Sequence, residues 1–500
     1  MKRGETKAYT IKLYPTFEKQ KIKKWRKYFM IENETKKWTI FLIIVTSTFM
    51  STLDASIVNV ALPNMADKLK VTTANIQLVV VSYLVTISAV ILVFGRLGDI
   101  FGKTKIFKIG LLLFTIGSFL CGIANSFELL IFARVVQAIG AAGTMANNQG
   151  IITEIFPSNE RGKALGLNGT AVALGSLVGP GLGGFIVGLF SWEFIFLINI
   201  PIGVVALLFS VKLLPKSDKA INESIDILGA VLFMLTIIPL FVALNFGIRI
   251  GFTSPLILAA FAIAIICFSV FLILEKRVTS PLIDFSIFKN KLFSISIICG
   301  FISFIAIFSY NIVIPFYLQN LMGFSPQKAG FILMAYPLIL VLVAPISGSL
   351  SDKIGSEFLT FVGLIIGAVG LFLIGTFNEN TSVALMVLCI CIMSVGIGIF
   401  QSPNNSLVMS TVAKDKLGIA GSINALIRNM GMSTGIALAT TLLYTKMSAK
   451  IGYRVVDFVE GRNDVFIYGM RWVFITATVI CMTGALLTFY RMHKYSKGKI

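Results

Sequence analysis

Charge is what this chain has least of: 13% of its 500 residues are Asp, Glu, Lys or Arg, while 56% are hydrophobic. With a mean hydropathy of +0.89, that balance excludes an ordinary soluble domain. Histidine occurs once, at His493, so catalysis or metal binding by a histidine cluster is excluded. The six cysteines, Cys121, Cys267, Cys299, Cys389, Cys391 and Cys481, all fall in apolar runs with no metal-type spacing to histidine. They read as small buried hydrophobes. No G-x-x-x-x-G-K-[ST] sequence is present to couple a nucleotide triphosphate. Acidic residues are scarce too, 23 against 43 Lys and Arg, which leaves a net charge of +20.

What the chain has in abundance is apolar length. Fourteen runs near or above the length of a membrane span recur between Trp38 and residue 490, predicting an all-α integral membrane protein with fourteen transmembrane helices. Two runs, 381–411 and 416–445, exceed one crossing and are expected to include interfacial turns. With both termini placed in the cytoplasm, 32 of the 43 Lys and Arg fall in cytoplasmic segments and nine in external ones. The remaining two, Arg134 and Arg428, lie within spans. This is the bias of the positive-inside rule, so the net charge is a topology signal and calls for no nucleic acid. Lysine outnumbers arginine 31 to 12, a hint of an AT-rich bacterial genome, and the expected location is a bacterial plasma (inner) membrane. Residues 1–37 hold twelve Lys and Arg against four Glu, with Ile22, Trp25 and Phe29 at helical spacing. Such a segment either lies on anionic lipid of the inner leaflet or is a basic tail that sets orientation. It is not a cleavable signal, because the next run has full span length and no small-residue cleavage site follows.

An internal repeat organises the runs. Gly95-Arg-Leu-Gly98-Asp99-Ile-Phe-Gly102-Lys103 joins runs 2 and 3, and a weaker copy, Gly348-Ser-Leu-Ser-Asp352-Lys353-Ile-Gly355, joins runs 10 and 11. The offset of eight runs is a six-run unit plus an inserted pair. It divides the chain into an N-terminal bundle (38–213), an inserted two-helix hairpin (226–274), a C-terminal bundle (292–490) and a tail (491–500). Two pseudo-symmetric bundles suit alternating access, each half rocking about a central site.

Asp54 stands alone among the acidic residues in lying well inside a strongly apolar run. Carboxyl groups at such depth are expensive and usually functional. Removal from water favours the protonated form, as a proton carrier requires. Asp54 precedes Leu62 by eight residues, and Arg134 follows Phe127 by seven. At ~1.5 Å per residue both lie roughly 10–12 Å from the outer ends of their runs, so the two charges can meet. Two readings stand: a proton or substrate site, or a structural ion pair. Arg428 and Asn429 interrupt run 13, and an arginine with no carboxylate in its own helix needs a partner: a substrate anion, Asp54 across the cavity, or backbone carbonyls. Asn59, Gln137, Asn148, Gln319 and Asn404 add uncharged polar groups that could line the same cavity. Gly175-Ser-Leu-Val-Gly179-Pro180-Gly181-Leu-Gly183-Gly184 lies in a run that can cross a bilayer. There, small residues let backbones approach and Pro provides a bending point.

That last segment resembles the fifth-span antiporter motif of the major facilitator superfamily, which in the family marks exporters. Leu53-Asp54-Ala-Ser-Ile-Val-Asn59-Val-Ala-Leu-Pro63, the Gly95 loop, Arg134-Val-Val-Gln137, Trp192-Glu-Phe-Ile-Phe-Leu-Ile-Asn199-Ile-Pro201 and Pro315-Phe-Tyr-Leu-Gln319 extend the likeness along nearly the whole chain. Their order and spacing are similar to the fourteen-span drug:proton antiporter branch. The resemblance implies two six-helix bundles plus a hairpin, and export of lipophilic small molecules against protons, with no cofactor and as a monomer. It casts Arg134 as a proton-relay arginine beside Gln137; the family's Gln-Gly pair is Gln137-Ala138 here. It makes Gly95, Gly98, Asp99, Gly102 and Asp352 gating elements, with Asp99 facing the N-terminal end of span 13. Gly175, Gly179, Pro180, Gly183 and Gly184 become a hinge, with Gly179, Pro180 and Gly183 against the other half. Dication exporters of the family carry further carboxylates in the second half, and none lies deep here. An exporter or flippase of an endogenous lipid or metabolite is the alternative, ahead of a proton-coupled importer and a membrane scaffold.

Overall fold

A computed structural model describes residues 34–157, 160–215, 226–278, 281–283, 285–412 and 417–496, and these are helical throughout, without a strand. The basic segment 1–33 and the loop 216–225 lie outside them. We number the spans α1 (Glu34–Leu69), α2 (Leu78–Phe101, after a turn at Thr73–Ile76), α3 (Lys103–Gly122), α4 (Phe127–Ile155) and α5 (Arg161–Leu189). Next come α6 (Asn199–Leu213), α7 (Ile227–Ile250), α8 (Pro255–Glu275), α9 (Lys291–Phe316) and α10 (Ala335–Ile354, after Pro326–Leu333). The last four are α11 (Ser356–Ile374), α12 (Val383–Ser410), α13 (Leu417–Ile451) and α14 (Asn463–Ser496). Among the described residues, thirteen helices are long and apolar enough to cross a membrane. The 35-residue α13 is the fourteenth, more polar because it carries Asn424, Arg428 and Asn429. The interfacial turns expected in runs 12 and 13 are not there: α12 and α13 are unbroken helices of 28 and 35 residues. Length beyond one bilayer thickness is taken up by tilt or by protrusion.

The ends follow from local chemistry. Ser126, Asp226, Asn290, Ser325 and Ser382 each cap a helix by accepting a backbone N–H with the side chain. Gly102 and Gly355 have φ of +98° and +94°, and each joins two helices with no loop between them. Only glycine adopts this conformation without strain. These two residues stand at the same position of the two copies of the sequence repeat, three after Asp99 and Asp352, so the repeat is seen in the backbone as the same abrupt corner at α2–α3 and α10–α11.

In the N-terminal set α3 packs on α4, α1 on α5 and α2 on α4; in the C-terminal set α11 packs on α12, α9 on α13 and α10 on α12. Glycines allow the closest approaches. Gly110 and Gly140 bring α3 and α4 into backbone contact, and Gly363 and Gly396 do the same for α11 and α12. Helix α2 meets α13, α5 meets Pro326–Leu333 and α10, and α7 touches both α2 and α13 at the seam. The outward faces of the hairpin and of α6 are greasy, with Leu256, Leu258, Ile265, Ile266, Leu208 and Val211 more than half exposed. That is the surface a helix shows to lipid tails. Below, the basic face is the one holding the α2–α3 and α10–α11 corners, and the distal face is its opposite.

Candidate functional site

Five helices of the N-terminal set converge on Asp54. Asp54, Arg134 and Gln137 are fully buried. Arg134 Nη1 donates to Asp54 Oδ2 at 2.6 Å. Gln137 Nε2 from α4 and Asn199 Nδ2 from α6 donate to Oδ1 at 2.8 and 3.2 Å. Arg134 is itself oriented by Val79 O of α2 (3.0 Å from Nε) and by Gln137 Oε1 (2.6 Å from Nη1). Its guanidinium lies 4.1 Å from the Tyr83 ring centroid and 5.5 Å from that of Phe196. Gln137 Nε2 also reaches Ser118 Oγ on α3 at 2.9 Å. Buried charges persist only when paired and hydrogen-bonded, and here both carboxylate oxygens are held. The arrangement can take up or release a proton at one carboxyl. Doing so would break or make several inter-helix bonds at once.

Sequence depth pairs Asp54 with Arg134 and places Gln137 nearby. It does not single out Asn199, Ser118 or Tyr83 as partners. Asn199 is the polar residue within an apolar run, the same signal that marks Asp54, and could have been found that way.

The asparagines expected to line a cavity use their amide N–H groups within and between helices, while the side-chain oxygens of Asn59, Asn148 and Asn404 are buried with no hydrogen-bond partner among the described residues. Asn148 Nδ2 donates to Thr48 Oγ1 at 2.8 Å, and Thr48 donates on to Asn168, tying α4, α1 and α5 together. Asn404 Nδ2 bonds Ser296 O (3.1 Å) and joins α12 to α9. Asn429 and Asn59 donate to carbonyls one turn back in their own helices. Gln319 Nε2 crosses between the sets to Val60 O at 2.9 Å, a closing contact on the distal side. An amide in an apolar helix satisfies backbone groups as readily as a ligand, so composition alone does not separate the two roles. Arg428 is different. It is partly exposed and, among the described residues, has no hydrogen bond, ion pair or ring contact.

At the α2–α3 corner, Gly95 brings α2 close to Ser422 of α13, a Cβ there lying 3.9 Å from Ser422 Oγ. Gly98 leaves room for Asn147, whose amide bonds Phe94 O and Gly143 O. Asp99 pairs with Lys103 at 3.0 Å, and Lys103 also reaches Glu154 at 3.0 Å. The expected partner of Asp99 is the start of span 13 near Leu417; residues 413–416 just before it, the side chains of residues 417–419 and the side chain of Asp352 lie outside the described residues.

The glycine-rich α5 runs as one 29-residue helix through Pro180 and uses two faces. Gly175, Gly179 and Gly183 lie against α1, where added Cβ atoms would come within 3.1 Å of Leu53 N, 3.1 Å of Ile57 N and 2.9 Å of Ile57 O. Gly181, Gly184 and Gly188 lie against Pro326–Leu333 and Met334 of the other set, Gly184 coming within 3.2 Å of Gly330 Cα. Gly179 and Gly183 therefore face span 1 of their own bundle. The contact with the other half is made by Pro180, Gly184 and Gly188, which share one face at positions four apart; of Gly179, Pro180 and Gly183, Pro180 alone is placed there, its carbonyl oxygen 2.5 Å from a Cβ added at Gly330.

Residues 44–436 match the Major Facilitator Superfamily. The riboflavin transporter RibZ of Clostridioides difficile is 36% identical over 474 residues, covering 93% of this chain and 99% of RibZ. The multidrug transporter protein MdtP of Bacillus subtilis is 28% identical over 85% of this chain and 78% of its own. The multidrug resistance protein Stp of Mycobacterium tuberculosis is 29% identical over 81% and 75%. The fold is also that of the Escherichia coli xylose transporter XylE in a partially occluded inward-open conformation. There the TM-score is 0.59 and the identity 13%, covering 92% of this chain and 98% of XylE. With the family matched along most of its length and transporters as its relatives, the chain belongs to the Major Facilitator Superfamily and is a membrane transporter of the kind that includes multidrug efflux proteins.

Proposed function

We propose that this transporter is a proton-coupled antiporter that exports lipophilic small molecules by alternating access from a bacterial plasma membrane, with both termini cytoplasmic. One observation carries the reading. The turns of α1 that hold Asp54 are the turns on which the Gly175–Gly179–Gly183 face of α5 packs, and the opposite face of α5 meets the other half of the molecule. Protonating Asp54 removes the negative charge that Arg134, Gln137 and Asn199 hold. Those donors then lose their acceptor, and α1 is released from α4 and α6. A shift of α1 is felt by α5 and so by the α5–α10 contact, which biases the two halves toward the alternative arrangement. Gly-to-backbone packing transmits such a shift because it has no side-chain slack.

Similarity to RibZ over almost the whole of both chains favours a second reading, transport of a riboflavin-like metabolite. Proteoliposomes holding a pH-sensitive dye separate the two. Proton movement on adding ethidium, lost in Asp54→Asn, supports drug antiport. Movement on adding riboflavin alone supports the metabolite reading. Uptake of either without proton movement refutes the coupling.

A further inference from the structure

Arg428 lies eleven residues into α13. Two contacts fix how α13 passes α2: Gly95 approaches Ser422, and Thr440 donates to Gln77. Each step forward on α13 thus matches one step back on α2, which sets Arg428 at the level of Ala89. Arg134 holds the Val79 carbonyl, ten residues from Ala89. At ~1.5 Å per residue, Arg428 sits about 15 Å from the Asp54 centre toward the basic face. It is a second charged locus, in the other half.

Its direction follows from the helix. Gly421, seven residues earlier and so on the same face, meets α4 of the N-terminal set, where a Cβ would lie 2.8 Å from Gln149 Oε1. Arg428 therefore faces the space between the halves. One turn toward the basic face, Asn424 Nδ2 donates to the exposed Asn405 of α12 at 3.2 Å, which puts an amide pair one turn from Arg428 along α13. One turn the other way, Gly431 presses α13 onto the partly exposed Phe301 and Phe304, its added Cβ 2.9 Å from Phe304 Cβ.

An arginine at membrane depth stays charged, and a lone one is costly unless something compensates it. Its fork of parallel donors matches a carboxylate bidentately. Amides extend a polar edge, and phenyl rings hold an aromatic body. We propose that Arg428, with Asn405, Asn424, Phe301 and Phe304, forms a binding subsite for aromatic organic anions, a carboxylate against the guanidinium and the ring system against the phenylalanines. The inference rests on the transport reading above but not on its proton coupling.

The test is equilibrium binding to the full-length protein in detergent, by fluorescence anisotropy of pyrenebutyrate and of its matched cation, pyrenebutyl-trimethylammonium. The wild type should bind the anion about tenfold tighter than the cation, and Arg428→Gln should weaken the anion ~tenfold or more while sparing the cation. Arg428→Lys, a charge without the fork, should keep part of the preference. It carries the comparison if Arg428→Gln does not elute as a folded protein. Gly169→Ala, whose added Cβ meets nothing within 4 Å, should leave anion binding intact, and coupled transport measured separately in Asp54→Asn shows a failure of the coupling reading on its own. Wild-type protein that does not bind the anion, or prefers the cation, overturns the proposal. So does an unchanged anion affinity in both Arg428 variants.

Discussion

Asp54→Asn tests whether the buried pair is a coupling site or only a strut. The substitution keeps shape, so no cavity forms, but every partner of Asp54 is a donor: Arg134, Gln137 and Asn199. Whichever way the new amide is turned, its nitrogen meets a donor: turned one way it leaves Arg134 buried with only Val79 O and Gln137 Oε1, and turned the other it faces Gln137 Nε2 and Asn199 Nδ2. Breaking one side of a buried pair costs about 3–5 kcal/mol. Arg134→Gln should cost a similar amount, by stranding the carboxylate. The double variant removes both charges and should cost less than either single change, giving a coupling energy of about 3 kcal/mol in a double-mutant cycle. Unfolding in detergent measures the stabilities, and pH-gradient-driven efflux from proteoliposomes measures the function. The expected pattern is stability largely recovered in the double variant with coupled transport still absent, because no titratable carboxyl remains. Recovery of both together would assign Asp54 and Arg134 a purely structural role and refute the coupling argument.

Gly184→Leu should jam α5 against Gly330 at a cost of ~1–3 kcal/mol and slow transport strongly in crystal-violet or ethidium efflux. Gly169→Ala, with nothing within 4 Å, should leave efflux unchanged. Asp457 accepts the Thr73 N–H at 3.2 Å, and Tyr444 bonds Thr73 Oγ1, so Asp457→Ala should loosen the distal closure. Spin-label distances across that face should then lengthen, and an unchanged distribution would deny Asp457 a gating part. Asp99→Asn removes one of two carboxylates from Lys103, and because both pairs are half exposed it should change stability by under ~1 kcal/mol. A clear change in spin-label distances on the basic face would then report gating, since ion-pair loss alone would not move them.

The membrane makes the spans legible: a crossing helix needs some twenty apolar residues, and no packing detail can hide such a run. The corners were legible for a similar reason, since a Gly at positive φ is demanded by the backbone at Gly102 and Gly355. Asp54 and Arg134 stood out because charge at depth is rare, and equal depth was enough to pair them. Convergence of α3 and α6 on the same carboxylate is set by tertiary packing, which no spacing within one helix encodes, so Asn199 stands out as a polar residue in an apolar run but neither it nor Ser118 is assigned to Asp54 by sequence. Asn148, Asn404 and Asn429 show what polarity alone leaves open. Polarity inside a span marks a need for hydrogen bonds, and the amide N–H groups of Asn148 and Asn404 find it in a neighbouring helix, that of Asn429 in its own, as they could in a ligand. Gly179 and Gly184 differ by five positions, close to a turn and a half. Sequence alone could not say which face of α5 met which neighbour.

The repeat also shows where the two halves part in chemistry. Gly117 on α3 is pressed against the backbone of Gln137 on α4, and Gly370 on α11 against that of Met393 on α12, in the same manner. The two contacts are structurally equivalent, yet one places an amide beside Asp54 and the other a thioether in an apolar core. Had both halves kept a carboxylate–arginine–glutamine centre, two buried charge networks would each have to be broken in one cycle, doubling a cost of several kcal/mol. With a single network in the N-terminal set, protonation in the proposed cycle would act on one half only. The other half would bring Arg428, without a partner among the described residues, to the space between them. Such a division lets the proton and the carried molecule be felt on different helices, α1 and α13, which communicate through α5–α10 and α2–α13 contacts rather than by competing for one carboxylate.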